Sequence, residues 1–407
     1  MVKNIVFAAP YYVETTVRFA QAVASLPGVR FALVSQTALE DAPDALRQHV
    51  SAHWRVDNVL DPTQLAGAVE NLGSQIGGVD RLLGILEHLQ EPLALVREKL
   101  AIPGLGHAAA RRFRDKALMK SALRNAGLPC ARHALATSHE AARELASEVG
   151  FPMVIKPPSG AGAKNTFRID TPQDLDEALR LFEPDEDSPL LMEEFLVGAE
   201  HSFDSILIDG EMVWHSISRY LPSPLEVLRH PWIQWCVVLP RRIDGEAFDR
   251  IREVALPALR ALGLETGLSH MEWFARPDGS VAISEVGARP PGARITDLLS
   301  YAHDTDFYRL WAQLMVFGEI EIPKRTFAAG AAYLRGLGSG RVIDIQGLEK
   351  AQADLGHLVV ESRLPSKGQP KADTYEGEGY VILRDAETEV VERGLQRLIS
   401  TVRVRIG

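Results

Sequence analysis

The most informative stretch of the sequence runs from residue 270 to residue 294 and reads HMEWFARPDGSVAISEVGARPPGAR. A short turn at 276–279 separates two apolar segments, which carry one carboxylate each, Glu272 and Glu285. In a hairpin such side chains can lie side by side on one face. Adjacent like charges repel unless a cation lies between them, and Mg²⁺ prefers a few carboxylates with phosphate oxygens. The pattern therefore predicts a magnesium site. The alternative, two separate surface carboxylates, is disfavoured by the apolar flanks.

An arginine closely follows the second carboxylate. Arg289 lies four residues past Glu285 and precedes a Pro-Pro-Gly turn. Its planar guanidinium is a fixed fork of donors that matches phosphoryl oxygens. We therefore expect Arg289 to stabilise negative charge beside the metal. His270, at the start of the stretch, is a candidate base for an amine proton; the alternative is a structural histidine on a strand.

Farther upstream, a lysine closes an apolar strand and a loop of small residues follows it. The strand 151–156 ends at Lys156, and the loop contains Gly160, Ala161 and Gly162. A cation at the end of a buried strand needs an anionic partner, and small residues let backbone N–H groups approach phosphates. The Walker pattern is absent. The segment favours a phosphate-binding loop of another kind, and the alternative is an exposed lysine beside an ordinary turn.

A second apolar strand, 190–195, runs into a polar segment with a turn at Gly198. A strand that becomes a linker offers backbone C=O and N–H groups to an adenine edge. Glu200 lies seven positions after Glu193 and can accept hydrogen bonds from ribose hydroxyls. The alternative interpretation is a charged hairpin without a ligand.

The chain begins with alternating strands and helices. The predicted elements are strand 4–9, helix 13–26, strand 30–35, helix 65–75 and strand 81–86. This alternation is typical of a doubly wound α/β domain. The first strand lacks the Gly-x-Gly-x-x-Gly turn, which argues against dinucleotide binding there. A basic helix is expected over 111–127, and the segment after Pro323 is rich in strand signals.

Taken in order, these motifs resemble the ATP-grasp superfamily over roughly residues 110–295. The Arg-Pro-Pro-Gly turn resembles the L-amino-acid ligases of its carboxylate–amine ligase branch. The resemblance implies an α/β and α+β fold. In it, a central ATP-grasp domain follows an N-terminal doubly wound α/β domain and precedes a β-rich C-terminal domain. The implied domains are 1–110, 111–322 and 323–407, with an ATP-binding subdomain at about 111–200 and a metal and substrate part at about 201–322.

The resemblance also implies roles for individual residues. ATP would be bound by Lys116, Lys156, Gly160, Ala161, Gly162, Glu193, Glu194, Phe195, Leu196 and Glu200. Lys116 and Lys156 match the phosphate-contacting lysines of the family. Glu194 and Leu196 would hold adenine through backbone groups, and Glu200 matches the ribose ligand. The magnesium ligands, with Mn²⁺ as a substitute ion, would be Glu272 and Glu285. The catalytic cations would be Arg289 and Lys156.

One position departs from the family pattern. The family usually carries asparagine two residues after the second magnesium carboxylate, and here that residue is Gly287. Either water replaces the amide, or one of two metal ions is held more weakly. The chain also lacks the Gln-Val-Glu-His run of biotin carboxylases and the Asn-Thr-x-Pro-Gly run of D-alanine ligases. Their absence favours the amino-acid ligase branch.

The function implied by this branch is ligation. A substrate carboxylate would attack the γ-phosphate of ATP to give an acyl phosphate and ADP, and an amine would then form an amide or peptide bond. The alternatives are an ATP-grasp kinase, a carboxylase-type enzyme and a nucleotide sensor without ligase activity. The expected substrates are a small carboxylate and an amine, amino acids among them. Arg219 and Arg294 are candidate contacts for the substrate carboxylate, and Trp232 is a candidate contact for a substrate side chain. The alternative is that the tryptophans belong to the hydrophobic core.

Composition limits the partners and the compartment. The 407 residues include 44 Lys and Arg against 54 Asp and Glu, a net charge of −10. That balance argues against nucleic-acid binding. Two cysteines fit a reducing compartment, and no apolar run has the length of a signal peptide or a membrane span. We therefore expect a cytoplasmic enzyme with no membrane partner, and a homodimer is compatible with the sequence.

Overall fold

The structure is a computed structural model that describes residues 2–160 and 165–407. Within these residues the chain forms one parallel sheet and three antiparallel sheets. This architecture confirms the predicted fold class, which combines α/β and α+β regions. No helix of the described residues has both the length and the apolar character needed to cross a membrane.

A parallel sheet in the order β3-β2-β1-β4 forms the N-terminal region. Its strands are β1 (Lys3–Ala8), β2 (Val29–Ser35), β3 (Val50–Arg55) and β4 (Arg81–Leu83). Its helices are α1 (Glu14–Ala24), α2 (Asp44–Arg47), α3 (Pro62–Ile76) and α4 (Gln90–Lys99), with 3₁₀ turns at Leu39–Asp41 and Glu87–Leu89. Phe7 packs in a buried cluster with Phe19 of α1, whereas Val6 packs in another with Leu65 of α3. Successive β1 side chains thus face helices on opposite sides, as a doubly wound sheet requires.

A small antiparallel sheet in the order β5-β8-β6-β7 follows. Its strands are β5 (His133–Ala136), β6 (Met153–Lys156), β7 (Phe167–Ile169) and β8 (Leu190–Glu194). The helices of this region are α5 (His107–Arg114), α6 (Lys116–Asn125), α7 (His139–Val149) and α8 (Pro172–Leu179).

The basic helix expected over 111–127 is two helices that meet at Asp115. The backbone of Asp115 is extended, with φ −94° and ψ 112°. Its carboxylate accepts hydrogen bonds from the N–H groups of Ala117 and Leu118, so it caps the N-terminus of α6. The single-helix prediction was therefore wrong, and the cap makes Lys116 the first residue of α6.

The largest sheet is antiparallel, in the order β13-β12-β9-β10-β11-β14-β17-β16. Its strands are β9 (Ala199–Ile208), β10 (Glu211–Leu221), β11 (Cys236–Leu239), β12 (Gly267–Ala275), β13 (Val281–Gly287), β14 (Ala328–Leu334), β16 (Val359–Arg363) and β17 (Gly379–Asp385). The remaining helices are α9 (Pro224–Arg229), α10 (Asp249–Leu262), α11 (Ile295–His303), α12 (Phe307–Phe317), α13 (Leu348–Leu355) and α14 (Thr388–Thr401), with a 3₁₀ turn at Glu246–Phe248. A two-stranded sheet pairs β15 (Val342–Gln346) with β18 (Arg403–Ile406).

The large sheet continues across the boundary that the sequence places at residue 323. Strand β14 pairs with β11, and Ala331 lies opposite Val237. The β-rich C-terminal segment therefore contributes strands β14, β17 and β16 to the sheet of the preceding domain. Its own sheet consists of β15 and β18 alone among the described residues.

Gly330, on strand β14 of this shared sheet, allows a test of how closely helix α14 packs against the sheet. A Cβ on Gly330 of β14 would lie 2.6 Å from Leu395 and 2.9 Å from Val391 of α14. We expect Gly330→Ala to lower the free energy of unfolding by about 1 to 3 kcal/mol, because the helix must move outward. Gly245→Ala, where a Cβ meets nothing within 4 Å, is the matched control and should change stability by less than about 0.5 kcal/mol. Urea denaturation measures the free energy of unfolding of both variants. Equal free energies of unfolding for Gly330→Ala and Gly245→Ala would contradict this packing.

Candidate active site

A cavity of about 320 Å³ lies between the small sheet and the β12–β13 end of the large sheet. It brings together residues that are far apart in the sequence. The sequence-predicted residues that line it are Lys116, Lys156, Gly160, Glu193, Glu194, Phe195, Leu196, Glu200, His270, Glu272, Glu285 and Arg289. Two further predicted residues, Ala161 and Gly162, lie outside the described residues.

A buried carboxylate lies between two buried lysines at one wall of the cavity. The Glu193 carboxylate oxygens lie 3.5 Å from Nζ of Lys120 and 3.0 Å from Nζ of Lys156. Lys120 also donates a 2.6 Å hydrogen bond to the carbonyl oxygen of Ser284 on β13. Burial raises the pKa of Glu193, but the two ammonium groups outweigh it and lower the pKa below its usual value. Glu193 is therefore anionic, and with both lysines charged the cluster carries one surplus positive charge.

Lys120 lies in none of the sequence motifs that predict the site. Its side chain is fully buried, and burial lowers its pKa. The sequence spacing could have indicated a role in the site, because Lys120 lies four residues after Lys116 and therefore on the same face of α6. Lys116 itself pairs with Glu285 at 3.0 Å and donates to the carbonyl oxygen of Gly160 at 3.2 Å.

The two candidate magnesium ligands face each other across the β12–β13 hairpin. Glu272 lies directly opposite Glu285, next to a register shift at Trp273. Glu200 also lines the cavity, on the neighbouring strand β9. Burial raises the pKa of Glu200 well above its usual value, and the charge of Glu272 raises it further. Glu285 is paired with Lys116, and Glu272 and Glu200 add two further carboxyl groups, so a divalent cation would find several oxygen ligands here.

The residues present fit a magnesium ion that is shared with phosphate. Within the part of the chain that the structure describes, no three His, Cys, Asp or Glu side chains are grouped to hold a metal ion by themselves. Two opposed carboxylates are the usual protein contribution to a magnesium site, with phosphate oxygens and water supplying the other ligands.

His270 is held by acidic and phenolic partners. Its Nδ1 lies 2.7 Å from the Asp204 carboxylate, and its Nε2 lies 3.3 Å from the Tyr220 hydroxyl and 3.7 Å from Glu272. Burial lowers the pKa of His270, but Asp204 and Glu272 outweigh it and raise the pKa to about 9. At neutral pH the imidazole is thus protonated. The arrangement favours the structural role over the role of proton acceptor.

Arg289 is anchored to the N-terminal domain. It forms an ion pair with Glu87, which also lies 3.6 Å from Arg114. Burial lowers the pKa of Arg289, but Glu87 and Glu285 raise it above its usual value, so the guanidinium stays charged. Glu87 is a site residue that no sequence motif predicts. It follows strand β4, and the carboxyl ends of parallel strands are where α/β sheets place functional groups.

Comparison with known proteins agrees with this geometry. A family model described as an ATP-grasp domain matches residues 121–293. Residues 121–293 form an ATP-grasp domain. The match confirms the family resemblance, and it includes residues 193–196, both candidate metal ligands and Arg289.

Relatives of the ATP-grasp domain are distant in sequence. The L-arginine-specific L-amino acid ligase of Bacillus subtilis is 24% identical over 261 residues, which are 61% of this chain and 61% of that ligase. The chain thus spans less than two thirds of that relative. The crystal structure of L-amino acid ligase from Bacillus licheniformis has a TM-score of 0.78 at 20% identity, covering 100% of this chain and 99% of that one. N5-carboxyaminoimidazole ribonucleotide synthetase from Thermotoga maritima has a TM-score of 0.73 at 18% identity, covering 100% of both chains. At these identities the two structures show the fold alone.

Two of the expected substrate contacts do not line this cavity. Arg219 and Tyr220 are consecutive on β10 and face opposite sides of the sheet. Tyr220 lines the cavity of the ATP-grasp domain, whereas Arg219 pairs with Glu392 of α14 at 2.7 Å. Trp232 is 64% exposed and does not line the cavity.

The third expected contact, Arg294, lies beside the cavity of the ATP-grasp domain but does not line it. Arg294 lines an adjoining cavity and pairs with Glu14 at 2.7 Å and Asp297 at 3.3 Å. Among the tryptophans, Trp235 lines the first cavity.

Two adjacent glutamates give a matched test of the lysine cluster in the ATP-grasp domain. Glu193→Gln leaves Lys120 and Lys156 buried without a counter-charge, so we expect it to lower the free energy of unfolding by about 3 to 5 kcal/mol. Glu194 pairs with the exposed Arg132 at 2.9 Å, so Glu194→Gln should cost less than about 1 kcal/mol. Urea denaturation of both variants measures the difference. Similar losses in the two variants would show that Glu193 does not balance the lysines.

Proposed function

We propose that this protein is an ATP- and Mg²⁺-dependent carboxylate–amine ligase that works through an acyl phosphate and releases ADP and phosphate. One observation carries the proposal. The same cavity is lined by the buried lysines Lys116 and Lys156, by the opposed carboxylates Glu272 and Glu285, and by Arg289. A polyphosphate with a divalent cation complements both charges at once.

The residues of the small sheet would bind ATP. The backbone of Glu194 and Leu196, where β8 ends, would hold adenine. Glu200, on the neighbouring strand β9, would accept hydrogen bonds from the ribose hydroxyls. Lys116 and Lys156 would contact the phosphates, because both line the cavity. In the structure they pair with the carboxylates of Glu285 and Glu193. On nucleotide binding, phosphate oxygens would become alternative partners for these ammonium groups.

Glu272 and Glu285 would hold the magnesium ion beside the phosphates. When bound, the ion supplies charge neutralisation on phosphate oxygens. Arg289 would stabilise the charge that builds on the transferred phosphoryl group, and its ion pair with Glu87 fixes its position before the reaction. No protein nucleophile is needed, because phosphoryl transfer depends on positioning and charge.

Ligation would proceed in two steps. The substrate carboxylate attacks the γ-phosphorus of ATP, ADP leaves, and an acyl phosphate forms. The amine then attacks the acyl carbon, the bond from that carbon to the phosphate oxygen breaks, and phosphate leaves. The similarity to an L-arginine-specific L-amino acid ligase supports amino acids as substrates. Cys130 and Cys236 are free thiols, which supports a cytoplasmic location.

A carboxylase-type reaction is the second candidate. It rests on the fold shared with N5-carboxyaminoimidazole ribonucleotide synthetase. Such an enzyme would require bicarbonate, whereas the proposed ligase would work without it. A kinase would release ADP without any amine and would leave a stable phosphorylated product.

Paired substrate screening tests the reaction. The enzyme, ATP and Mg²⁺ are incubated with pairs drawn from a panel of amino acids and carboxylic acids, and ADP release is measured with and without bicarbonate. We expect release that depends on a carboxylate and an amine and is independent of bicarbonate. Release that requires bicarbonate, release without any amine, or no release with any pair would contradict the ligase proposal.

The metal carboxylates give a second test with the active pair. Glu272→Gln and Glu285→Gln each remove one of the two carboxylates that would bind the magnesium ion, so we expect the rate of ADP release to fall by about 100-fold or more. Asp278→Asn, in the exposed turn of the same hairpin, is the matched control and should keep the wild-type rate. Near wild-type rates and unchanged Mg²⁺ dependence in either glutamine variant would show that these carboxylates are not ligands.

A further inference from the structure

Glu376 lies at the junction of two cavities. It precedes strand β17 and lines both the cavity described above and a second cavity of about 530 Å³ toward the N-terminal domain. The residues common to both linings are Arg289, Gly292, Ala293 and Glu376. The two cavities therefore adjoin, and one cation and one anion line the place where they meet.

The carboxylate of Glu376 has no partner among the described residues. It is half-buried and forms no hydrogen bond or ion pair within residues 2–160 and 165–407. Burial raises its pKa, and the charge of Arg294 only partly opposes this. Its neighbour Glu378 differs, since it accepts hydrogen bonds from the N–H groups of Gly336 and Ala372 at 2.7 and 2.8 Å. A carboxylate that lines both cavities and has no partner among the described residues is available to a cationic ligand.

We propose that Glu376 binds the ammonium group of the amine substrate at the junction of the two cavities. This inference rests on the proposed ligase function and identifies the amine site within it. Arg289 would face the acyl phosphate from one side. From the other side Glu376 would hold the ammonium group and accept the proton that its nitrogen must lose before it attacks the acyl carbon. Holding both reactants at one point is what makes such a step effectively intramolecular.

The second cavity also indicates the class of amine. Arg294 and Arg363 line it together with Glu14, and Arg363 pairs only with Glu14, at 3.2 Å, among the described residues. The carboxylate of an amino acid would compete with Glu14 for the exposed guanidinium of Arg363. The geometry favours an amino acid or the amino terminus of a short peptide over an uncharged amine.

Two sets of probes separate the ammonium from the carboxylate. L-amino acid amides keep the ammonium group and lack the α-carboxylate, whereas N-acetyl-L-amino acids keep the carboxylate and lack the ammonium. Both sets are titrated calorimetrically into the full chain with Mg²⁺ and the non-hydrolysable analogue AMP-PNP. Glu376→Gln is compared with Asp373→Asn, which removes an exposed carboxylate of the same loop that lines neither cavity. Glu376→Asp keeps the charge and is the second variant.

We expect Glu376→Gln to weaken the binding of the amides at least tenfold and to leave the N-acetyl acids within twofold of wild type. Asp373→Asn should match wild type, and Glu376→Asp should recover part of the amide affinity. AMP-PNP binding by each variant checks that it is folded. The ammonium site would be overturned if Glu376→Gln bound the amides as tightly as wild type does. It would also be overturned if wild type bound AMP-PNP but none of the amides. Wild type that does not bind AMP-PNP would instead overturn the proposed function.

Discussion

The ion cluster of Glu193 with Lys120 and Lys156 is the interaction on which the rest of the site depends. Glu193 lies on β8, Lys156 closes β6 and Lys120 lies on α6, so one carboxylate joins three elements. The hydrogen bond from Lys120 to the carbonyl oxygen of Ser284 extends the cluster to β13 of the large sheet. Burial makes each of these charges dependent on its partners. The cluster therefore fixes the small sheet against the hairpin that carries Glu285.

Charge is distributed unequally across the cavity, and this imbalance points to the ligand. The lysine side has one surplus positive charge. On the hairpin side burial, and then the charge of Glu272, raise the pKa of Glu200. A polyphosphate would pair with the lysines, and a divalent cation would bind the carboxylates Glu272 and Glu285. Mg²⁺ with ATP is the simplest ligand that does both, and the ATP-grasp domain match over residues 121–293 is consistent with it.

The sequence predicted those parts of the site that local patterns determine. Glu272 and Glu285 were predictable because a short turn makes their strands adjacent, and Lys156 because it closes an apolar strand. Contacts between distant elements were not predictable in this way. The pairing of Arg289 with Glu87 joins residues that are 202 positions apart, and no local spacing indicates it. The side of the sheet that Arg219 faces was not predictable for a related reason, because one residue of strand register decides which face a side chain occupies.

The central claim is that ATP phosphorylates a carboxylate, and isotope transfer tests it most directly. The enzyme is supplied with ATP, the amine and the carboxylate substrate labelled with ¹⁸O in both oxygens. An acyl phosphate requires that one labelled oxygen appear in inorganic phosphate for each ADP released. Label in AMP, or unlabelled phosphate alongside amide formation, would contradict this account.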